Sequence, residues 1–139
     1  IFGNNRQDWF GHKAHLLGKL EDHYSLRCLY NAADIVVVPS RQETFGQVAA
    51  EALSCGTVVV GFNSSGLVDL INHKKNGYLA EAYKIEDLAN GIKWALENYN
   101  SEQIKSRARL KIINDFDSKK VSKEYEEFYR SIILEFQNK

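Results

Sequence analysis

The feature that most restricts the fold of this chain is the alternation of short apolar runs with helix-like segments. Two of these runs are Ile35–Val38 and 57–60, the second of which is β-branched at every position. β-branched residues favour strands, and a strand without a polar face belongs to a sheet that is covered on both faces. The alternation therefore predicts an α/β fold, a Rossmann-like doubly wound parallel sheet with helices on both faces.

The predicted elements are placed along the chain by the spacing of the apolar residues. Strands are expected over 12–17, 35–38, 57–60 and 78–80, and helices over 24–33, 45–54, 67–71 and 85–97. Thr44 and Gln47 fit a capping box, which marks the start of the second of these helices. From residue 101 onward the spacing is helical throughout, so we expect a Rossmann-like unit over 1–100 and C-terminal helices over 101–139.

The charge balance argues against a nucleic-acid-binding protein. The chain has 18 Lys and Arg against 18 Asp and Glu, so any anion-binding site must be local. Two cysteines, Cys28 and Cys55, are too few for a disulfide framework, and both are expected to be buried in a reducing, cytoplasmic compartment. No apolar run reaches the roughly 20 residues of a membrane-spanning helix. The histidines lack the spacing of metal ligands, so no metal site is assigned.

The loop over 39–46, between the second predicted strand and the next helix, is the first candidate site. In doubly wound sheets, ligands bind at the carboxyl ends of the strands. Phe45, Gly46 and Gln47 are expected to form the first turn of the helix, whose free N–H groups and positive dipole end suit a phosphate. A chain without net charge could hold a diphosphate in this way, through its backbone.

Two carboxylates flank this turn, Glu43 before it and Glu51 inside the helix. Eight helical residues rise about 12 Å, whereas the two carboxylates of a glycosidase stand about 5 to 9.5 Å apart. Because carboxylates repel phosphates, we expect the pair to bind hydroxyl groups on either side of the phosphates. A nucleoside diphosphate sugar has hydroxyls in this arrangement, with a sugar at one end and a ribose diol at the other.

The same residues carry a family resemblance. The run over 43–60, ETFGQVAAEALSCGTVVV, resembles the Glu-x7-Glu signature of the family 4 retaining glycosyltransferases, in the C-terminal, donor-binding half of the two-domain GT-B fold. The chain also resembles the family's flanking sequence blocks, in the same order, at 18–20, 29–40, 66–71 and 76–79. The resemblance covers most of 1–97, which makes it far more specific than a single Glu-x7-Glu motif.

The resemblance implies a role for each matching residue. Glu43 would be the catalytic residue, accepting hydrogen bonds from hydroxyls of the donor sugar, and Glu51 would hold the ribose hydroxyls. The other implied contacts are with the sugar and diphosphate (Phe45, Gly46, Gln47 and Val48), with the nucleobase through the backbone (Leu20 and Asp22) and with the phosphates (Gly3). The implied donor is a UDP- or GDP-sugar, bound without a metal or another cofactor.

The sequence also departs from the family pattern. Thr44 and Gln47 stand where glycine and a leucine-like residue are common, which is expected to reshape the sugar pocket, and Asp69 replaces a glutamate. The first strand of the family's domain, which carries an Arg and a Lys that clamp the diphosphate, is expected to precede this chain.

The resemblance thus implies the donor-binding domain of a retaining glycosyltransferase of polysaccharide or glycoconjugate biosynthesis. An acceptor sugar or lipid-linked glycan would bind an N-terminal domain outside this chain, and that domain would make any peripheral contact with the inner face of the membrane. The chain alone is expected to be inactive. Two alternatives stay open, a GT-B sugar-nucleotide epimerase and a non-catalytic nucleotide-sugar-binding module.

Overall fold

The structure is a computed structural model that describes residues 15–137, so the predicted contact Gly3 lies outside the described residues. Three strands and six helices are present in this range. In chain order they are α1 (His23–Ala32), β1 (Ile35–Val38), α2 (Gln47–Ser54), β2 (Val58–Phe62), α3 (Leu67–Leu70), β3 (Gly77–Ala80), α4 (Ile85–Asn98), α5 (Glu102–Phe116) and α6 (Ser118–Gln137).

The strands form a parallel sheet in the order β1-β2-β3. Val36 pairs with Val59 across β1 and β2, and Val60 pairs with Tyr78 across β2 and β3. Every residue of the central strand β2 is buried. With helices on both faces, this arrangement confirms the predicted Rossmann-like doubly wound fold.

Two hydrophobic cores cover the two faces of the sheet. The first is formed with α2 and α3 around Leu53 and Val59, and the second is formed with α4 around Val60. Neighbouring residues of a strand point to opposite faces, which explains why Val59 and Val60 lie in different cores. Helix α5 contributes to both, with Ile104 in the second core and Ala108 in the first.

Helix α2 begins later than predicted. Its N-cap is Gly46, whose φ of 88° lies in the left-handed region, and no described side chain caps the helix. A left-handed residue cannot continue a right-handed helix. The expected first turn at Phe45 and the capping box at Thr44 are therefore both wrong, and the free N–H groups of the first turn begin at Gln47.

Two other predictions differ from the structure. Residues 15–17 are not in a strand, and 12–14 lie outside the described residues. Cys28 is exposed and Cys55 is partly exposed, so the expectation of buried cysteines is wrong for Cys28. Cys28 lies two positions before the buried Tyr30, and residues at this spacing lie on different sides of a helix.

The C-terminal helices form as predicted. Asp117 Oδ1 caps α6 by accepting hydrogen bonds from the N–H groups of Lys119 at 3.0 Å and Lys120 at 3.4 Å. No residue of the described helix 118–137 is buried. Its exposed apolar residues are Tyr125, Phe128, Tyr129, Ile133, Leu134 and Phe136.

We expect Gly46→Ala to lower the free energy of unfolding by about 2–4 kcal/mol, because the cost of a left-handed alanine adds to the cost of crowding by its Cβ. A Cβ at position 46 would lie 2.8 Å from Leu67 Cδ2. Gly56→Ala is the matched control, because Gly56 has a φ of 81° but its Cβ would lie 3.6 Å from the nearest atoms of Lys105. The control is expected to lose only about 1–2 kcal/mol. Urea unfolding measures both losses, and equal values would contradict crowding at Gly46.

Candidate functional site

The loops that follow the strands meet at the carboxyl edge of the sheet. The loop after β1 carries Glu43, whose N–H donates to Ser65 Oγ at 2.9 Å. In return, the Gly66 N–H donates to the Glu43 carbonyl at 3.0 Å. Two hydrogen bonds therefore fix the backbone of Glu43 against the loop after β2, while its side chain remains partly exposed.

The carbonyl of Arg41 joins all three of these loops. Ser64 Oγ, from the loop after β2, donates to it at 3.3 Å, and the Tyr83 hydroxyl, from the loop after β3, donates to it at 3.2 Å. The Arg41 guanidinium lies 5.7 Å from the centroid of the Tyr83 ring. Tyr83 has a φ of 65° and its ring packs against Phe62. The carboxyl edge is thus a connected surface rather than three separate loops.

Three residues of this edge were not predicted from the sequence: Arg41, Ser65 and Tyr83. Each lies three residues after the end of its strand, β1, β2 or β3. Parallel strands bring equivalent positions to the same edge of a sheet. The spacing becomes equal only with the observed end of β2 at Phe62, because the strand predicted over 57–60 ends two residues earlier, so the sequence pattern alone did not identify them.

Gly66 allows the first two loops to touch. A Cβ on Gly66 would lie 2.7 Å from the Cα and the carbonyl oxygen of Phe45. No side chain fits at this distance, so the loop after β2 runs directly against the segment that leads into α2. This close contact is the physical reason for the glycine that begins the block at 66–71, which was recognised through the family resemblance.

Glu51 lies on α2 and faces α1. Its Oε2 accepts a hydrogen bond from the Tyr30 hydroxyl at 2.8 Å, and its Oε1 accepts one from Gln47 Nε2 at 3.2 Å. Burial raises the pKa of Tyr30, and the hydrogen bond to Glu51 raises it further. The phenol therefore stays protonated at neutral pH and remains a donor to the carboxylate.

A cavity of about 190 Å³ lies between α1 and α2, and Glu51, Tyr30 and His23 are among its lining residues. His23 directly follows Asp22, the N-cap of α1, whose Oδ1 accepts a hydrogen bond from the Ser25 N–H at 2.7 Å. That bond lowers the pKa of Asp22. The carboxylate predicted to hold a ribose thus shares a cavity with His23, which directly follows the segment predicted to contact a nucleobase. His23 and Tyr30 were not predicted as members of this site.

Apart from Leu20, the remaining predicted contacts lie around the start of α2. The Phe45 ring is 43% exposed and packs edge-on against Phe116 of α5, with 5.4 Å between the ring centroids. Val48 packs against the first core, and Gln47 is occupied by its hydrogen bond to Glu51. Leu20 is partly exposed, in the segment that leads to α1. Their roles as donor contacts stay predictions.

Residues 15–137 contain neither a metal-binding cluster nor a membrane-spanning helix. This range contains no cluster of three or more His, Cys, Asp or Glu side chains that could hold a metal ion. None of its helices is long and apolar enough to cross a membrane.

Ser65→Ala is expected to raise the hydrogen-exchange rate of the Glu43 N–H about fivefold, since one hydrogen bond contributes about 1 kcal/mol. Ser64→Ala is the matched control, because the Ser64 hydroxyl binds Arg41 and not Glu43. NMR-detected exchange of the Glu43 amide measures the effect. The same change in both variants would mean that the Ser65 bond does not hold Glu43.

Comparison with known proteins gives a family for this chain. Residues 10–112 match the family described as glycosyl transferases group 1. An uncharacterized glycosyltransferase of Methanocaldococcus jannaschii is 32% identical over 120 residues, which are 86% of this chain and 30% of that protein.

Solved structures share the fold. Sucrose-phosphate synthase from Thermosynechococcus elongatus is 29% identical with a TM-score of 0.77, over 86% of this chain and 30% of its own. HepE from Anabaena in complex with UDP is 30% identical with a TM-score of 0.74, over 84% of this chain and 32% of its own, and it has also been solved with UDP-glucose. The chain therefore spans about a third of the length of these relatives. On the match over 10–112 and this shared fold, the chain belongs to the group 1 glycosyltransferase family.

Proposed function

We propose that this chain binds the nucleoside diphosphate sugar donor of a retaining glycosyltransferase. The observation that carries the proposal is the cavity between α1 and α2, which Glu51 shares with the start of α1. Gln47, the first residue of α2, donates to this same carboxylate. The proposed ribose-binding carboxylate is therefore adjacent both to the start of α1 and to the N-terminus of α2, as an elongated donor requires.

In this proposal each part of the donor meets a different chemical group. The ribose diol donates to the Glu51 carboxylate, and the nucleobase lies against the backbone of Leu20 and Asp22. The diphosphate lies at the N-terminus of α2, where the first-turn N–H groups have no described side-chain cap. Glu43, held by its backbone at the carboxyl edge, accepts hydrogen bonds from the sugar hydroxyls and is the proposed catalytic residue.

Stabilisation of the leaving diphosphate by these N–H groups would be the main catalytic contribution of this chain. Backbone donors have fixed positions, so they need no reorganisation as charge develops on the phosphate. We further propose that the donor binds without a metal ion. The HepE structures with UDP and UDP-glucose support a uridine nucleotide as the first donor to test, with a guanosine nucleotide as the second.

The wider role is proposed by analogy with the family. We place the donor site in 1–100, as the C-terminal half of a GT-B enzyme, and the helices of 101–139 against this domain or an N-terminal domain. The acceptor, a sugar or lipid-linked glycan, would bind that N-terminal domain. The proposed setting is polysaccharide or glycoconjugate biosynthesis in the cytoplasm, with peripheral contact to the inner face of the membrane.

Glu51→Gln is expected to weaken UDP binding about tenfold, because a hydrogen bond to a charged group contributes about 1.5 kcal/mol. Amide NMR titration of this chain measures the affinity, and the shifts should cluster at 18–22 and 43–51. Glu97→Gln is the control, because Glu97 is an exposed carboxylate on α4. If Glu51→Gln binds UDP with an affinity within twofold of that of the parent chain, the ribose contact is refuted.

We also expect the 139-residue chain to bind a UDP-sugar without transferring its sugar, because it spans about a third of the length of its relatives. Incubation with UDP-glucose and a panel of sugar acceptors, followed by mass spectrometry, tests this. Glycosylated product from the purified chain would overturn the expectation.

A further inference from the structure

Tyr30 connects α1, α2 and β2. It is 1% exposed, and its hydroxyl donates to Glu51 Oε2 at 2.8 Å. The carbonyl of Tyr30 accepts a hydrogen bond from Thr57 Oγ1 at 2.7 Å, just before β2. The ring is thus packed in the core, while the hydroxyl reaches the edge of the cavity between α1 and α2. A buried tyrosine held in this way has little freedom to move its hydroxyl.

The two hydrogen bonds to Glu51 differ in character. The donor from Tyr30 is buried and short, whereas the donor from Gln47 is exposed and lies at 3.2 Å. An exposed amide can exchange its partner for water at little cost, but a buried phenol cannot. Tyr30 is therefore the group that determines the orientation of the Glu51 carboxylate.

Within the described residues 15–137, the two hydrogen bonds to Glu51 leave acceptor positions of the carboxylate unused in this orientation. Each carboxylate oxygen offers about two lone-pair sites, and the two hydrogen bonds occupy one on each oxygen. One further site on each oxygen suits a ligand with two adjacent hydroxyl groups. An unrestrained glutamate would instead lose about 1.5–2 kcal/mol of side-chain entropy on binding such a ligand.

We propose that Tyr30 is a positioning residue of the nucleotide site, which orients Glu51 toward a vicinal diol and so creates a preference for ribose over nucleotides that lack the diol. This inference rests on the proposed function, since it assumes that the cavity between α1 and α2 receives the ribose. It adds a second residue, outside the Glu-x7-Glu motif, to the recognition of the diol.

The test compares UDP with 2′,3′-dideoxyuridine diphosphate in Tyr30→Phe. Phenylalanine keeps the ring and removes the hydroxyl that orients Glu51. We expect the affinity for UDP to fall about fivefold and the affinity for the dideoxy nucleotide to change less than twofold. The ratio of the two affinities, measured by amide NMR titration, is the readout, because a general loss of stability would not alter it.

Tyr78→Phe is the matched control. Tyr78 is 7% exposed, and its hydroxyl donates to the Asp87 carboxylate at 2.9 Å, in the core on the other face of the sheet. This variant also removes a tyrosine hydroxyl from a carboxylate, away from the cavity. We expect it to keep the preference for UDP, and a loss equal to that of Tyr30→Phe would overturn the positioning role.

Glu51→Gln separates the failure of this inference from failure of the proposed function. If Glu51→Gln loses the preference for UDP and Tyr30→Phe keeps it, Glu51 binds the ribose but Tyr30 does not position it. If both variants keep the preference, the ribose site itself is refuted.

Glu51→Asp tests the same step without changing the core, which keeps the inference testable if Tyr30→Phe does not fold. The shorter side chain retains the charge but withdraws the carboxylate from the Tyr30 hydroxyl. We expect this variant to lose the preference for UDP about as strongly as Tyr30→Phe. A preference equal to that of the parent chain would refute positioning by Tyr30.

Discussion

The burial of β2 on both faces is the constraint on which the rest of the structure depends. A strand with five buried residues needs a neighbouring strand on each side and a layer of helices on each face. Parallel pairing requires connections that cross over, which α2 and α3 provide between successive strands. The loops after the strands therefore emerge at one edge, and the candidate site is a consequence of this packing.

Backbone groups organise that edge more than charged side chains do. The N–H groups of Glu43 and Gly66 and the carbonyl of Arg41 form the hydrogen bonds that join the loops. Gly46 and Gly66 permit the close contacts that a Cβ would prevent. This organisation suits a chain with zero formal net charge, because a helix N-terminus presents N–H donors to an anion without any excess of basic residues.

Two tyrosine–carboxylate pairs illustrate how packing separates a carboxylate that closes a loop from one that lines a cavity. Asp87 accepts the Tyr78 hydroxyl at 2.9 Å and the Glu81 N–H at 2.7 Å, and these bonds close the loop before α4. Glu51 accepts one buried phenol and one exposed amide, and it lines a cavity. The chemistry of the two pairs is the same, and only their surroundings differ.

Local patterns in the sequence predicted the order of the strands and helices from α1 onward, the parallel fold and the family, and they marked Glu43 and Glu51 as candidate site residues, because apolar spacing and short motifs act between near neighbours. Tertiary structure decided the start of α2, where Gly46 packs against Leu67. It also decided the partners of the site. The bonds from Tyr30 to Glu51, from Glu43 to Ser65 and from Tyr83 to Arg41 span 21, 22 and 42 residues. No local pattern encodes such pairs, since they form only after parallel strands bring distant loops and helices together.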